Sequence, residues 1–167
     1  GVAFEASCDA IARFRGVKKR QEIKGTADGV VVIDDFAHHP TAVLETLRAI
    51  RARYPSRRLW VAFEAKSNTS RRAVFQEAFA AAFDPADVVV LSQPWKKDDL
   101  PDEQLLSLPR LADDIAARGK DVQLIPDVDA IVETLAERVA PGDVVVGLSG
   151  SAFGGLHDKL LHRLAER

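Results

Sequence analysis

Methionine is missing from all 167 residues, and the chain has one cysteine, one tyrosine and two tryptophans. With no second thiol, Cys8 forms no internal disulfide, so the fold must rest on burial and hydrogen bonding, as suits a reducing cytosol. Translation starts at Met and position 1 is Gly. The chain is therefore expected to be a piece of a longer protein, with 1–16 the tail of a preceding domain or a linker and 17–167 a domain. No apolar run approaches the roughly 18 residues of a membrane span, and no secretory segment opens the chain, so no membrane partner is expected. An excess of one charge is lacking too: 25 acidic against 23 basic residues leave a net charge of −2, which points away from nucleic acid. Neither G-x-x-x-x-G-K-[ST] nor a clean G-x-G-x-x-G occurs, so the sequence offers no phosphate-cradling loop of the usual kinds.

What is present is the composition of a folded domain, 47% hydrophobic and 29% charged, at a length able to bury a proper core. Residues 4–14 carry Phe4, Cys8, Ile11 and Phe14 near helical spacing. The basic run from Gly16 to Arg20 reads as a solvated hinge. Two strand-like runs, 21–25 and 29–35, flank an Asp28-Gly29 pair, which signals a hairpin whose first strand is an antiparallel edge. Pro40 opens a helix with an apolar stripe of Val43, Leu44, Leu47, Ile50 and Tyr54. Strands are expected at 59–63, 88–91, 122–125 and 144–148. Between them lie helices with buried faces at Val74, Phe75, Ala78, Phe79 and Ala82, from Pro109 to Gly119, and from an Asp127 cap. A last helix buries Leu156, Leu160, Leu161 and Leu164. Residues 92–107 read as a polar loop with Trp95, Lys96 and Lys97. Helix alternating with strand predicts an α/β, Rossmann-like domain: about six mostly parallel strands, one antiparallel edge, helices on both faces.

Three loops then share the carboxyl edge of the sheet, where open α/β folds bind ligands. The first is Asp34-Asp35-Phe36-Ala37-His38-His39-Pro40. Its acids alternate sides, so one can meet a ligand such as a ribose while the other turns inward, or one closes a turn while His39 caps the helix. In the second, Lys66, Arg71 and Arg72 bracket a helix start that Asn68 or Thr69 can cap. Cations there oppose the helix dipole, and an anionic guest would reverse that. The third, 149–157, is rich in Gly and Ser and can show backbone N–H groups to an anion, or simply turn tightly. Paired Asp and His also suit a metal phosphoesterase, but only His157 and His162 remain as further imidazoles, and no metal set is expected.

Four stretches carry a resemblance: Gly16-Val17-Lys18-Lys19-Arg20-Gln21-Glu22, the DDFAHHP turn, Phe63-Glu64-Ala65-Lys66-Ser67-Asn68-Thr69, and Ser151-Ala152-Phe153-Gly154-Gly155-Leu156-His157. Together they resemble the C-terminal domain of the Mur ligases, with the murein peptide ligases nearest within that family. Relatives tend to have Pro-Arg at Ala65-Lys66 and often Tyr at Phe36. The resemblance implies a cytoplasmic, ATP- and Mg²⁺-dependent ligase that joins L-alanyl-γ-D-glutamyl-meso-diaminopimelate to UDP-N-acetylmuramate through an acyl phosphate, in peptidoglycan recycling. A UDP-N-acetylmuramate–L-alanine ligase is the neighbouring possibility. It further implies that ATP and Mg²⁺ are bound mainly by other domains and that the isolated fragment does not turn over. By the same resemblance Asp35 binds the ribose, Phe36 lies near the adenine and His38 faces the reacting groups. Lys66, Asn68, Arg71 and Arg72 serve the peptide or phosphate charges, and Ser149, Ser151, Phe153 and His157 line the peptide pocket.

Overall fold

The computed structural model describes residues 1–14, 16–92, 101 and 104–167. Most of the expected polar loop, including Trp95, Lys96 and Lys97, lies outside the described residues. The expected hairpin forms from β1 (Glu22–Ala27) and β2 (Val30–Asp35), paired antiparallel. Asp28 and Gly29 between them have φ of 46° and 73°. Two consecutive left-handed residues make the turn whose twist matches that of the strands.

The rest follows the alternation in the sequence: α2 (Pro40–Arg53), β3 (Leu59–Glu64), α3 (Gln76–Ala82), β4 (Val88–Ser92), α4 (Leu108–Ala117), β5 (Asp121–Ile125), α5 (Val128–Arg138), β6 (Val144–Ser149) and α6 (Leu156–Ala165). Helix starts are fixed where the capping chemistry sits. The Asp127 carboxylate accepts from the N–H groups of Asp129 and Ala130, and the Ser107 hydroxyl accepts from that of Arg110, each satisfying a donor the helix itself cannot. The six strands lie in the order β1-β2-β6-β3-β4-β5, all parallel except β1. β6 pairs Gly147 with both Asp34 and Ala62, and Ser149 with Glu64, so the carboxyl ends of the three central strands are level.

Period-2 alternation divides the core in two. Val31, Ile33, Val61 and Phe63 pack under α2, α3 and α4 through Leu47, Phe79 and Leu111. Val30, Val32, Trp60 and Ala62 pack under α5 and α6 through Ile131, Leu135, Leu156 and Leu160. Both faces are covered, which is why the strands read as continuous apolar runs. Each fully buried aliphatic side chain contributes roughly 1.5–3 kcal/mol. Helix α1 (Phe4–Ala12) buries none of its residues, and Phe4 is 78% exposed.

One expectation about the third helix fails and another holds only in part. It begins at Gln76, after a 3-10 turn over Ala73–Phe75, and neither Asn68 nor Thr69 caps it. Its inner face is Gln76, Phe79, Ala80 and Ala82, while Val74 is 81% exposed and Ala78 is exposed. Phe79 and Ala82 are buried as expected and Phe75 packs against the same core, while Val74 lies in the 3-10 turn, whose spacing differs from that of an α-helix.

Candidate functional site

The first loop is a turn that its own side chains tie shut. One Asp35 oxygen, Oδ1, accepts from the Ala37 N–H at 2.7 Å and from the Thr46 hydroxyl at 3.4 Å. The other, Oδ2, accepts from the Gln21 N–H at 2.8 Å, and the residue is 2% exposed. His39 caps α2 by accepting from the Thr41 N–H, with Pro40 at the first helical position. Asp34 and Asp35 diverge as their strand parity dictates, but both turn inward: Asp35 toward Thr46 of α2, Asp34 toward His157 of α6. Phe36, half-buried, meets the His38 ring edge-to-face at 5.0 Å, with the Arg20 guanidinium 5.5 Å from its centroid. The His38 Nδ1 lies 2.8 Å from the Phe36 carbonyl oxygen. A carbonyl can only accept, so Nδ1 carries the proton and Nε2 keeps its lone pair, free to accept a proton.

The second and third loops join through Glu64, which is 7% exposed. Its Oε2 accepts from the hydroxyls of Ser149 at 2.5 Å and Ser151 at 2.8 Å, and its Oε1 lies 3.6 Å from the Lys66 ammonium. The Ser149 oxygen then accepts from the Ser151 N–H, and the Ser151 oxygen from the Phe153 N–H. Lys19 donates to the Ser151 carbonyl at 2.5 Å. Gly150 stands where the three loops meet: a Cβ on it would be 3.7 Å from the Ser67 Cβ and 4.0 Å from the His38 ring. Charge-assisted bonds to a buried carboxylate are among the stronger ones available, which suits a rim held in one arrangement.

The structure thus brings His38, Phe36, Lys66, Ser149 and Ser151 to one edge and places other expected residues elsewhere. Phe153 is fully buried in the core under α5 and α6, and His157 is 5% exposed. Neither side chain lines the rim, so both are corrected from peptide-pocket residues to anchors of the loop. Ser149 is 1% exposed with its hydroxyl committed to Glu64. Asn68 accepts from Arg71 at 2.6 Å, and Arg72 makes an isolated bridge to Leu105. The turn reaches this segment through the rings of His39 and Phe75, 4.9 Å apart. The basic run is no loose hinge either. Lys19 and Gln21 both have positive φ, 56° and 47°, and the Lys19 carbonyl accepts from the Phe36 N–H at 2.9 Å. Lys18 and Arg20 do remain exposed.

His157 lies over Gly147, where any Cβ would be 2.3 Å from its Nε2. Burial pushes its imidazole below the ordinary value, opposed by Asp34 and by a backbone hydrogen bond at Gly147. Sequence reasoning assigned no role to Glu64 or Lys19. An acid closing the wholly buried strand LWVAFE was a readable signal for the first. Nothing in a run of basic residues singles out the second. Among the described residues no group of three or more His, Cys, Asp or Glu could hold a metal ion.

The chain that forms this edge matches the family model of the Mur ligase glutamate ligase domain over residues 19–151. The chain belongs to the Mur ligase family. It is 34% identical over its full length to the Escherichia coli UDP-N-acetylmuramate–L-alanyl-γ-D-glutamyl-meso-2,6-diaminoheptandioate ligase, covering 35% of that protein. It is 35% identical, over 96% of its length, to the UDP-N-acetylmuramate–L-alanine ligase of Caldanaerobacter subterraneus, covering 34% of it. Among solved structures, the murein peptide ligase of Psychrobacter arcticus superposes with a TM-score of 0.75 at 29% identity, over 100% of this chain and 34% of that one. The chain therefore spans about a third of the curated relatives it matches, as their Mur ligase C-terminal domain.

Proposed function

We propose that this domain serves an ATP-dependent ligase that joins L-alanyl-γ-D-glutamyl-meso-diaminopimelate to UDP-N-acetylmuramate in peptidoglycan recycling, in the cytoplasm. The observation that carries the reading is the convergence at Gly150 of the His38 turn, the 64–67 loop and the 149–151 loop. Two ammonium groups, Lys19 and Lys66, flank Ser151 there, with the Glu64 carboxylate bonded to Ser151 and the Glu22 carboxylate to the Lys19 N–H. The two ammonium groups suit an acidic peptide or a phosphoryl group.

Each residue then has a task. The Asp35 carboxylate holds the turn that presents Phe36 to an adenine and His38 to the reacting groups. A ribose reaching Asp35 would do so at Oδ2, the oxygen now taken by the Gln21 N–H. His38 Nε2 is placed to take a proton from an attacking amine. Lys66 offers a point charge to a carboxylate, and Arg71 and Arg72 extend the basic side of the same loop. The residues here fit the nucleoside end of ATP. Lys19 and Lys66 can meet one phosphoryl group, but no cluster among the described residues could hold Mg²⁺ together with the phosphate chain. Both are held mainly by domains beyond this chain. ATP when bound supplies the phosphoryl group that turns the muramate carboxylate into an acyl phosphate.

The test joins this chain to its own upstream reading frame and measures ADP release with UDP-N-acetylmuramate and either the tripeptide or L-alanine. Release that depends on the tripeptide is expected. Dependence on L-alanine would transfer the domain to the L-alanine ligases, and release with neither would overturn the reading. The chain alone should release no ADP and bind ATP weakly or undetectably in titration calorimetry.

A further inference from the structure

Beneath the rim, on the α5/α6 side of the sheet, a carboxylate and an imidazole face each other without touching. Asp34 and His157 are 6% and 5% exposed. Oδ1 of Asp34 and Nε2 of His157 lie 3.7 Å apart, and each lacks a hydrogen-bond partner. The separation is too long for a hydrogen bond and short enough for one to form by a small shift. Leaving such buried groups unpaired is unfavourable, so a shift that pairs them is favoured. Gly147 lies under the imidazole, where any Cβ would be 2.3 Å from Nε2 and would force the ring to shift.

The position of the pair gives it consequence. Asp34 directly precedes Asp35, whose carboxylate holds the Ala37 N–H of the turn and the Gln21 N–H of the connector. His157 is the second residue of α6, the helix that follows the 149–155 loop. The pair therefore joins the bases of two of the three loops that make the rim. The charged groups that act on His157 are Asp34 on β2, Lys24 on β1 and Asp158 on α6 itself, and Glu22 of β1 feels it in turn. Two aspartates favour an imidazolium there; Lys24 and burial oppose it.

We propose that Asp34 and His157 form a proton-operated clasp: a proton taken from solvent by His157 converts the open gap into a direct N–H···O bond, tying the start of α6 to the end of β2 and coupling the 149–155 loop to the 34–40 turn. In the neutral form the two loops are tied through the β2–β6 ladder at their bases and through Lys19, which donates to the Ser151 carbonyl and accepts from the Phe36 N–H. In the charged form the clasp adds a charge-assisted bond. The rim is then more tightly ordered in mildly acidic conditions than at neutral pH, whichever ligand it takes.

The test is a pH titration of the chain followed by ¹⁵N–¹H correlation spectra, with long-range spectra that resolve the imidazole nitrogens. The His157 ring, the amides of Ala37 and His38, and those of Ser151 to Phe153 should shift with one common midpoint. His157→Gln should abolish that shared shift. The nearly isosteric Asp34→Asn should lower the His157 midpoint and separate the two sets of amides. The proposal is overturned if His157 shows no midpoint above acid unfolding. It is equally overturned if the turn amides keep their shift in His157→Gln, or if Asp34→Asn changes neither midpoint nor coupling. Should His157→Gln fail to fold, the wild-type titration and the Asp34→Asn comparison decide alone.

Discussion

The Ser149 hydroxyl donates to the Glu64 carboxylate at 2.5 Å, across 85 positions of sequence. One buried acid so fixes two loops, because the same oxygen also accepts from Ser151. Ser149 and Ser151 thereby spend their hydroxyl protons inside the protein. Their part at the rim is to shape it and to hold Lys66, rather than to grip a ligand directly.

Glu64→Ala removes the acceptor of two hydroxyls and the partner of Lys66. Loss of about 1.5–3 kcal/mol of stability is expected in urea unfolding, the range for hydrogen bonds to a charged group. Glu64→Gln keeps one acceptor oxygen and should lose less. A loss in Glu64→Gln as large as in Glu64→Ala would mean that the retained oxygen contributes nothing and that the whole effect lies in the charge and the second oxygen.

Gly147→Ala places a Cβ 2.3 Å from Nε2 of His157 and 3.1 Å from Leu156. Overpacking of this kind costs about 1–3 kcal/mol. Since the nearest obstacle is the imidazole, Gly147→Ala combined with His157→Ala should cost less than the sum of the two single changes. Strict additivity, measured by thermal or urea unfolding, would show that the ring does not occupy that space.

The pH dependence has a definite sign. Burial lowers the His157 pKa in the fold, so below about 6.5 the unfolded chain binds a proton that the folded chain resists. Stability from this group is complete above that value and declines as pH falls toward the lower folded value. Replacing His157 by Gln should flatten that part of the stability–pH curve. At lower pH a second decline follows. The hydrogen bond from Arg118 holds the Asp84 carboxyl below its ordinary value, and the Lys19 N–H does the same for Glu22. Stability from both is present above the ordinary carboxylate range and lost as pH drops through the lowered values.

Lys19→Ala cuts the tether from the connector to the Ser151 carbonyl. The amides of Gln21 and Phe36, which bond to Asp35 and to the Lys19 carbonyl, should exchange with solvent about tenfold faster, equivalent to ~1.4 kcal/mol of local opening. Unchanged exchange would return the connector to the status of a free hinge.

The hairpin, the six strands, the Asp127 cap and the antiparallel edge were legible because each has a local cause: paired left-handed turn residues, unbroken apolar runs, a carboxylate before a helix. The α3 face was legible at Phe79 and Ala82 but not at Val74, which a 3-10 turn before the helix leaves exposed. At the site, the DDFAHHP turn could be placed on its edge from sequence, and so could the 64–67 and 149–151 loops. Which polar residues turn inward could not. Asp34 and His157 are 123 positions apart, and their approach depends on α6 crossing β2 and β6. Charge alone also misdirected the reading of Lys19: in a run of exposed cations, only the fold shows which one is docked.

The last of the six strands to leave the ribosome is the one on which both halves of the sheet depend. β6 lies between β2 and β3, so until it emerges the nascent chain holds a two-strand hairpin and a three-strand ladder with no backbone partner in common. Folding of this domain should therefore await nearly complete synthesis. The exposed edges of β2 and β3 would meanwhile be its most aggregation-prone surfaces, the places where a chaperone gains most by binding.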